Sequence, residues 1–507
     1  MVAKIWTVAF RGIEVLDVEV QVHFTSGVPT FQIVGLADKA VAESRERIRN
    51  ALHAIGLGFP MKKIAVNLAP ASLQKEGTHY DVPIALAILA QMGILNPHEL
   101  EHYTAVGELA LDGTMHSVAG VLPAAFQAAK NNRKLICPSA CGSEAAWIEN
   151  LDIIAAPNLL SLVNYFKGNQ VLDRPEPKMQ ETSKKSVDFS EIKGQGTARR
   201  VLEVAAAGGH NVLMVGPPGS GKSMLAQRLS TILPPLEPEE ALELSMVYSV
   251  AGMLREGKLL TQRPFRDPHH SASVPALVGG GIKAKPGEIS LAHKGVLFLD
   301  ELPEFESRAL EALRQPLETG YTVIARANSH VTYPSEIQFI AAMNPCRCGY
   351  MDDPSRACVR VPICGQQYTS KISGPLLDRM DMHIHVPALK PQELSEMAEG
   401  ESSESIQKRV TKARLFQRKR LEKMLDLLEG RPHHMVNAKL SGKLLEAVLQ
   451  LDPEAETLVH QAADRFKLSA RSYYRVLKVS RTIADMDESN QIRKNHVAEA
   501  LCYRQMI

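Results

Sequence analysis

Residues Asn211 to Leu233 read NVLMVGPPGSGKSMLAQRLSTIL. An apolar run leads into Gly216, Pro217, Pro218, Gly219, Ser220, Gly221, Lys222 and Ser223, and a helical pattern follows at once. A glycine-rich turn between strand and helix lets backbone N–H groups converge on phosphate oxygens, with the positive end of the helix dipole behind them. In that setting Lys222 neutralises the β- and γ-phosphates of ATP, and Ser223 supplies a hydroxyl ligand to Mg²⁺. A mere glycine-rich turn with a surface lysine would not need the strand, the helix and the full octapeptide together. Further along, GVLFLDELPEF places two acids after the apolar run Val296–Leu299. That run has the composition of a buried parallel strand, and ligands of open α/β sheets bind at the carboxyl ends of such strands. Asp300 is then placed to hold Mg²⁺ through water, and Glu301 to act as the base that orients the attacking water.

A third strand, QFIAAMNP, ends at Asn344. Its amide is either a water-positioning group beside the γ-phosphate or a turn-forming residue before proline. In SGPLLDRMD, Arg379 is either an arginine offered to a neighbouring subunit's nucleotide or one half of a surface salt bridge. Arg471 and Arg475 lie one turn apart on a helix near the C-terminus. Either is a candidate to reach back to the γ-phosphate, and one of them is a structural residue. Cys346, Cys348, Cys358 and Cys364 form a cluster whose thiolates suit tetrahedral Zn²⁺, although ordinary zinc spacing is C-x₂₋₄-C. Plain reduced loop cysteines are the other reading. Cys137, Cys141 and Cys502 read as small hydrophobes or surface thiols.

Positioning these groups takes several elements. The chain has 507 residues, 45% hydrophobic and 22% charged, which suits about three globular domains. Residues 1–167 alternate short apolar strands (VEVQVHF, KIAVNLA) with an apolar helix around Val82–Leu95, the pattern of a mixed α/β domain. Residues 168–187 are polar, with two prolines, and read as a linker that does not order itself. Residues 188–388 carry the motifs on an α/β pattern, and residues 389–507 read as a helical lid. No apolar run reaches the length of a membrane span, and Arg11 and Glu14 interrupt the first apolar stretch, so a cytoplasmic protein is expected. The net charge of +2 neither announces nor excludes a nucleic-acid partner, because a ring needs basic residues only on its pore face. The basic run KRVTKARLFQRKRLEK reads first as a solvated helix face and second as a DNA contact.

These motifs, in this order, resemble the AAA+ ATPases of the branch that holds magnesium chelatase and the MCM helicases. RPFRDPHH, PGEISLAHKGVLFLDELPEF, AAMNPCRCGY and SGPLLDRMD resemble the ComM/YifB family of magnesium-chelatase-like proteins, and the likeness extends to FQIVGLADKAVAESRERIRNAL and VNLAPASLQKEGTHYDVPIALAIL. The resemblance implies a hexameric helicase that drives branch migration as incoming single-stranded DNA is integrated by recombination. DNA, further copies of the chain and recombination proteins would be its partners. It assigns Asn344 as sensor 1, Arg379 as arginine finger and Arg471 as sensor 2. It also makes Gly279 to His293 and Ala325 to Ser335 pore insertions, and Lys283, Lys285 and Arg326, with Lys294 at the edge of the first, would contact DNA. Few aromatics occur there, which favours backbone tracking over base stacking. In the family's cysteine pattern Arg360 takes the place of a fourth cysteine, and Cys364 is the substitute.

The first domain resembles the Lon protease fold, especially at GELALDGTMHSVAGVL. Leu122 stands where that family's lysine would, and Asp81 near the serine's place. Peptidase chemistry is therefore not expected, with Ser72 and Lys75 the one relocated pair to consider. A magnesium-chelatase motor and an ATP-dependent protease are the competing readings.

Overall fold

The computed structural model describes residues 2–179, 187–281, 284–325, 330–351, 362–389, 400–424 and 435–504. The N-terminal region is built on a mixed sheet of seven strands. In spatial order they are Thr30–Val34, Lys63–Ala69, Glu14–Thr25, Ala3–Arg11, Tyr103–Ala105, Lys134–Pro138 and Ile153–Ala156. Alternation decides which face is covered: Val18, Val20 and Val22 are fully buried, as are Ile64, Val66 and Leu68. The helix Asp81–Gln91 is buried from Asp81 through Ala90, as a helix apolar on every side must be.

Residues 168–179 form no helix, but they are docked. A Cβ on Gly142 would meet Pro175 at 2.8 Å, and Lys178 O accepts a hydrogen bond from Leu259 N at 3.2 Å. The first part of the expected linker is therefore ordered against its neighbours, because its prolines and backbone carbonyls find partners the composition did not reveal.

Five parallel strands make the central sheet: Phe265–Arg266, Val296–Leu299, Gln338–Met343, Val212–Val215 and Met382–His385, in that spatial order. Both faces are covered, which is why these strands are apolar throughout. Val212 and Met214 face a layer formed by Leu202, Leu225, Leu229 and Ile483, whereas Leu213 faces Leu310 and Ile289 on the other side. The last described region is helical: Ser403–Glu422, Gly442–Val448, Pro453–Phe466, Ala470–Met486 and Lys494–Cys502. Among the described residues no helix is long and apolar enough to cross a membrane.

The basic run lies on the helix Ser403–Glu422, and it is not simply solvated. Arg409 pairs with Glu203 at 2.6 Å, and Arg420 pairs with the buried Asp485. Arg414 donates to Ala206 O at 2.7 Å, and burial pushes its pKa down to about 9. Arg409 and Arg414 tie this helix to the helix Gly196–Gly208 and Arg420 ties it to the helix Ala470–Met486, so these three are engaged within the chain.

The N-terminal sheet and the central domain meet through a buried carboxylate. Glu144 Oε1 accepts from Leu122 N at 2.9 Å and from Ser249 Oγ at 2.5 Å, and Leu122 packs with Ala241 and Leu259 across the boundary. Two hairpins project nearby, Gly279–Gly280 with Lys285–Pro286 and Tyr321–Ala325 with His330–Pro334. Tyr333 Oη donates to Ala284 O at 2.9 Å, and Ile13 of the first hairpin of the chain packs against this cluster.

Candidate nucleotide site and the opposite pole of the sheet

The strand Val212–Val215 delivers the glycine loop to the carboxyl end of the sheet. Gly216 must be glycine, since a Cβ there would lie 2.1 Å from Val386 O. Gly219 (φ +76°) and Gly221 (φ +90°) adopt left-handed conformations, and a Cβ on either meets nothing within 4 Å. The loop thus presents an open backbone floor at the start of the helix Lys222–Ile232. Lys222 is 7% exposed, and its Nζ donates to Gly216 O and Pro217 O, both at 2.8 Å, and to Asn344 Oδ1 at 3.2 Å. Burial lowers the Lys222 pKa against the opposing pull of Asp300 and Glu301. Ser223 Oγ donates to Asp300 Oδ2 at 2.5 Å, and Asp300 Oδ1 accepts from Glu301 N at 2.8 Å. Lys222, Ser223, Asp300 and Asn344, from three adjacent strands, therefore meet at one point.

Glu301 has a left-handed backbone (φ +51°), which costs a residue with a Cβ about 1–2 kcal/mol and turns the carboxylate off the strand axis. Its Oε2 lies 3.6 Å from His270 Nδ1. The register explains that contact: Phe265 pairs with Val296 and Arg266 with Leu297, so the following residues run alongside the two acids. Asp267 feels the same proximity, and its pKa is raised by burial and by Asp300. Sequence reasoning quoted RPFRDPHH but gave Asp267 and His270 no role. An acid and two histidines within four residues, Asp267, His269 and His270, were the available signal.

The cysteine loop sits on the glycine loop, because a Cβ on Gly349 (φ +83°) would meet Pro218 at 2.4 Å. Cys346 Sγ and Cys348 Sγ are 3.1 Å apart, and burial raises the Cys346 pKa. Cys358 and Arg360 lie outside the described residues. Among the described residues no three His, Cys, Asp or Glu side chains converge on a point, so the zinc expectation gains no support. The groups around Lys222 do fit a nucleoside triphosphate with Mg²⁺: an open amide floor, one ammonium, a hydroxyl already on a carboxylate, and a second acid.

Arg379 and Arg471 are elsewhere. Both line a cavity of about 580 Å³, together with Asn211 and Asp381. Asn211 precedes the strand whose far end carries Gly216, so five residues, or about 16 Å of extended chain, separate the two sites. Arg379 is tethered: it donates to Arg314 O at 3.0 Å and Pro375 O at 2.7 Å, and it pairs with Glu318. Its side chain is 12% exposed, whereas Arg471 is exposed at the cavity wall. Arg475 is the structural member of that pair, donating to Met380 O at 3.0 Å.

Of the residues expected to meet DNA, Lys285 is exposed on its hairpin. Lys283 and Arg326 lie outside the described residues. Lys294 is a correction. It is 12% exposed and pairs with Glu336 at 2.6 Å and Glu243 at 3.7 Å, and these acids keep it charged against burial. A lysine so enclosed anchors the base of the insertion.

Comparison with known proteins agrees with this layout. Residues 188–394 match the model of the magnesium chelatase subunit ChlI, residues 400–504 its C-terminal model, and residues 20–141 a further ChlI subunit model. The chain is 42% identical to the competence protein ComM of Haemophilus influenzae, over all of this chain and 98% of that protein. It is 41% identical to YifB of Escherichia coli, over 98% of this chain and 96% of that one. The magnesium-chelatase 38 kDa subunit of Rhodobacter capsulatus is 27% identical over 31% of this chain and 50% of its own length. With full-length identity of this order, and a phosphate loop, acidic strand and Asn344 converging on one site, the chain belongs to the ComM/YifB family of magnesium-chelatase-like AAA+ ATPases.

Proposed function

We propose that the chain is one subunit of a ring, six copies in all, that hydrolyses ATP to move branch points in DNA during recombination. One observation carries this reading. The phosphate loop and the Arg379–Arg471 cavity lie at opposite ends of the same sheet, so a chain that binds nucleotide at one end offers cations to a neighbour at the other. A site completed only between copies calls for a closed head-to-tail ring.

Mg·ATP would supply the phosphoryl group and the charges that these residues are placed to hold. Lys222 gives up its loop carbonyls for phosphate oxygens. Ser223 and Asp300 hold the ion, Glu301 takes a proton from the attacking water, and Asn344 fixes that water's position. Arg379 leaves Glu318 for the neighbour's nucleotide, with Arg471 beside it. The two hairpins, with the exposed Lys285, line the channel, so DNA binding is sequence-independent and falls steeply with salt.

The N-terminal domain acts as a docking or assembly module and not as a peptidase. Asp81 is locked to Arg47 at 2.6 Å, Leu122 is buried between domains, and Ser72 is exposed while the Lys75 ammonium bonds Pro70 O.

The test combines a labelled four-way junction, ATP and Mg²⁺ with purified protein, and repeats it with Lys285→Ala. ATP-dependent movement of the junction, lost in the variant while basal turnover persists, is the expected result. Rings that ignore the junction yet turn over ATP with a chelatase-type partner would return the chain to the magnesium-chelatase reading.

A further inference from the structure

The two poles are joined by one strand, and one side chain at its amino end holds the finger. Asn211 Nδ2 donates to Arg379 O at 2.9 Å, and Asn211 Oδ1 accepts from Phe339 N at 2.8 Å on the strand that leads into Asn344. The Asn211 backbone N donates to Asp381 Oδ2 at 3.0 Å, and Asn211 O accepts from Asp381 N at 3.0 Å and Met382 N at 3.1 Å. Asp381 is further held by His210 Nδ1 at 3.4 Å and by Arg475 Nε at 3.8 Å, and Arg475 belongs to the helix Ala470–Met486. At the other end of the same strand, Gly216 touches Val386 O, the residue after the strand Met382–His385. The register between these two strands runs unbroken from Val212↔Met382 to Val215↔His385.

We propose that Asn211 is a positioning residue that fixes the Arg379 backbone to the phosphate-loop strand, so that a subunit's own nucleotide site and the finger it offers move as one body. Part-buried hydrogen bonds that join the amino ends of three neighbouring strands have two discrete states, made or broken, and they transmit a shift that flexible side chains would absorb. The assignment rests on the reading of Arg379 as a finger acting across a subunit boundary.

The test uses mixed rings of the full chain. Lys222→Ala subunits, which donate an intact finger, are mixed with Arg379→Ala subunits, which keep an intact phosphate loop, and the recovered ATPase is the baseline. Asn211→Ala is then added to one partner at a time. On the finger-donating Lys222→Ala chain it should cut recovered turnover by about tenfold, the rate equivalent of roughly 1.4 kcal/mol, the scale of one lost buried hydrogen bond. On the hydrolysing Arg379→Ala chain the loss should stay within about threefold, since that chain's finger is already absent. Equal losses on both chains, a loss only on the hydrolysing chain, or no loss on either would overturn the assignment. No baseline recovery, in mixtures where mixed rings are seen, would overturn the finger reading itself and this assignment with it. If Asn211→Ala chains do not assemble, Asn211→Asp carries the same comparison. It is isosteric, keeps the acceptor toward Phe339 N and replaces the donor to Arg379 O with a carboxylate oxygen that accepts only, at the cost of a charge near Asp381.

Discussion

The two ends of the central sheet differ in how much of their chemistry one chain completes. At the carboxyl end, Lys222, Ser223, Asp300 and Asn344 already contact one another, with Lys222 held on its own loop by carbonyls that phosphate oxygens would replace. At the amino end, Arg379 is satisfied by Glu318 and two backbone carbonyls, and Arg471 faces an open cavity. At the first pole the groups exchange partners in place, where they already stand together, whereas Arg379 must leave Glu318 and its carbonyls before it can reach anything else. On the proposed reading, binding belongs to the first pole and control by assembly to the second.

The largest effects should fall on the preorganised pole. Lys222→Ala should abolish nucleotide binding or turnover. Glu301→Gln should retain bound nucleotide and lower turnover by about 10²–10⁴-fold, the usual weight of a general base. Fluorescent-nucleotide titration beside a phosphate-release assay separates the two, and a Glu301→Gln chain that turns over at the wild-type rate would remove that residue from the mechanism.

Next comes the parked pole. Arg379→Ala should lower the turnover of assembled rings by about 10³-fold or more, while nucleotide affinity measured on the isolated chain changes less than about twofold. If affinity collapses in the isolated chain, the arginine serves its own fold and the two poles are not separate.

The amino pole should also be the acid-sensitive one. His383 is largely buried, and burial, with Arg504 and Arg475 nearby, pushes its pKa down to about 4. The unfolded chain takes up that proton at the ordinary value near 6.5. Unfolding is therefore favoured as pH falls from about 6.5 to about 4, and stability is regained as pH rises. Asp381, held at about 2 against burial by His210 and Arg475, stays charged in the folded chain through that window, and its own loss of stability begins only at the acid end, as the unfolded carboxylate starts to protonate. Melting temperatures of wild type and His383→Gln across this range should converge toward acid. Parallel curves would show that His383 does not carry the slope.

The smallest effect is expected from Glu318→Gln, which loosens the parked arginine. The Glu318 side chain is 61% exposed, so stability should move by less than about 0.5 kcal/mol. Turnover of assembled rings should rise modestly, by about threefold or less, since an exposed pair is worth under about 1 kcal/mol. A fall in turnover would mean that Glu318 aims the arginine and does not restrain it.

The glycine loop, the Asp300–Glu301 strand end and Asn344 were readable from the sequence. Each depends on a strand and the residues immediately after it, and glycine spacing, apolar runs and terminal acids are local signals. The all-round apolar helix Asp81–Gln91 was legible for the same reason. Lys294 was misread because a lysine in a polar insertion looks exposed until Glu243 and Glu336, far from it in the chain, are brought alongside. The arginines after Gln407 looked solvated because their partners, Glu203, Ala206 O and Asp485, come from other helices.

What the sequence determined by itself was the nucleotide chemistry and the strands that deliver it, because backbone propensity and motif spacing act over a few residues. Only the tertiary structure decided that Arg379 and Arg471 stand at the far end of the sheet from their own phosphate loop. It also decided that His270 reaches Glu301 and that Asn211 holds the backbone of Arg379. Strand order and register set those juxtapositions, and both are fixed by how distant apolar faces pack together, which no local spacing encodes.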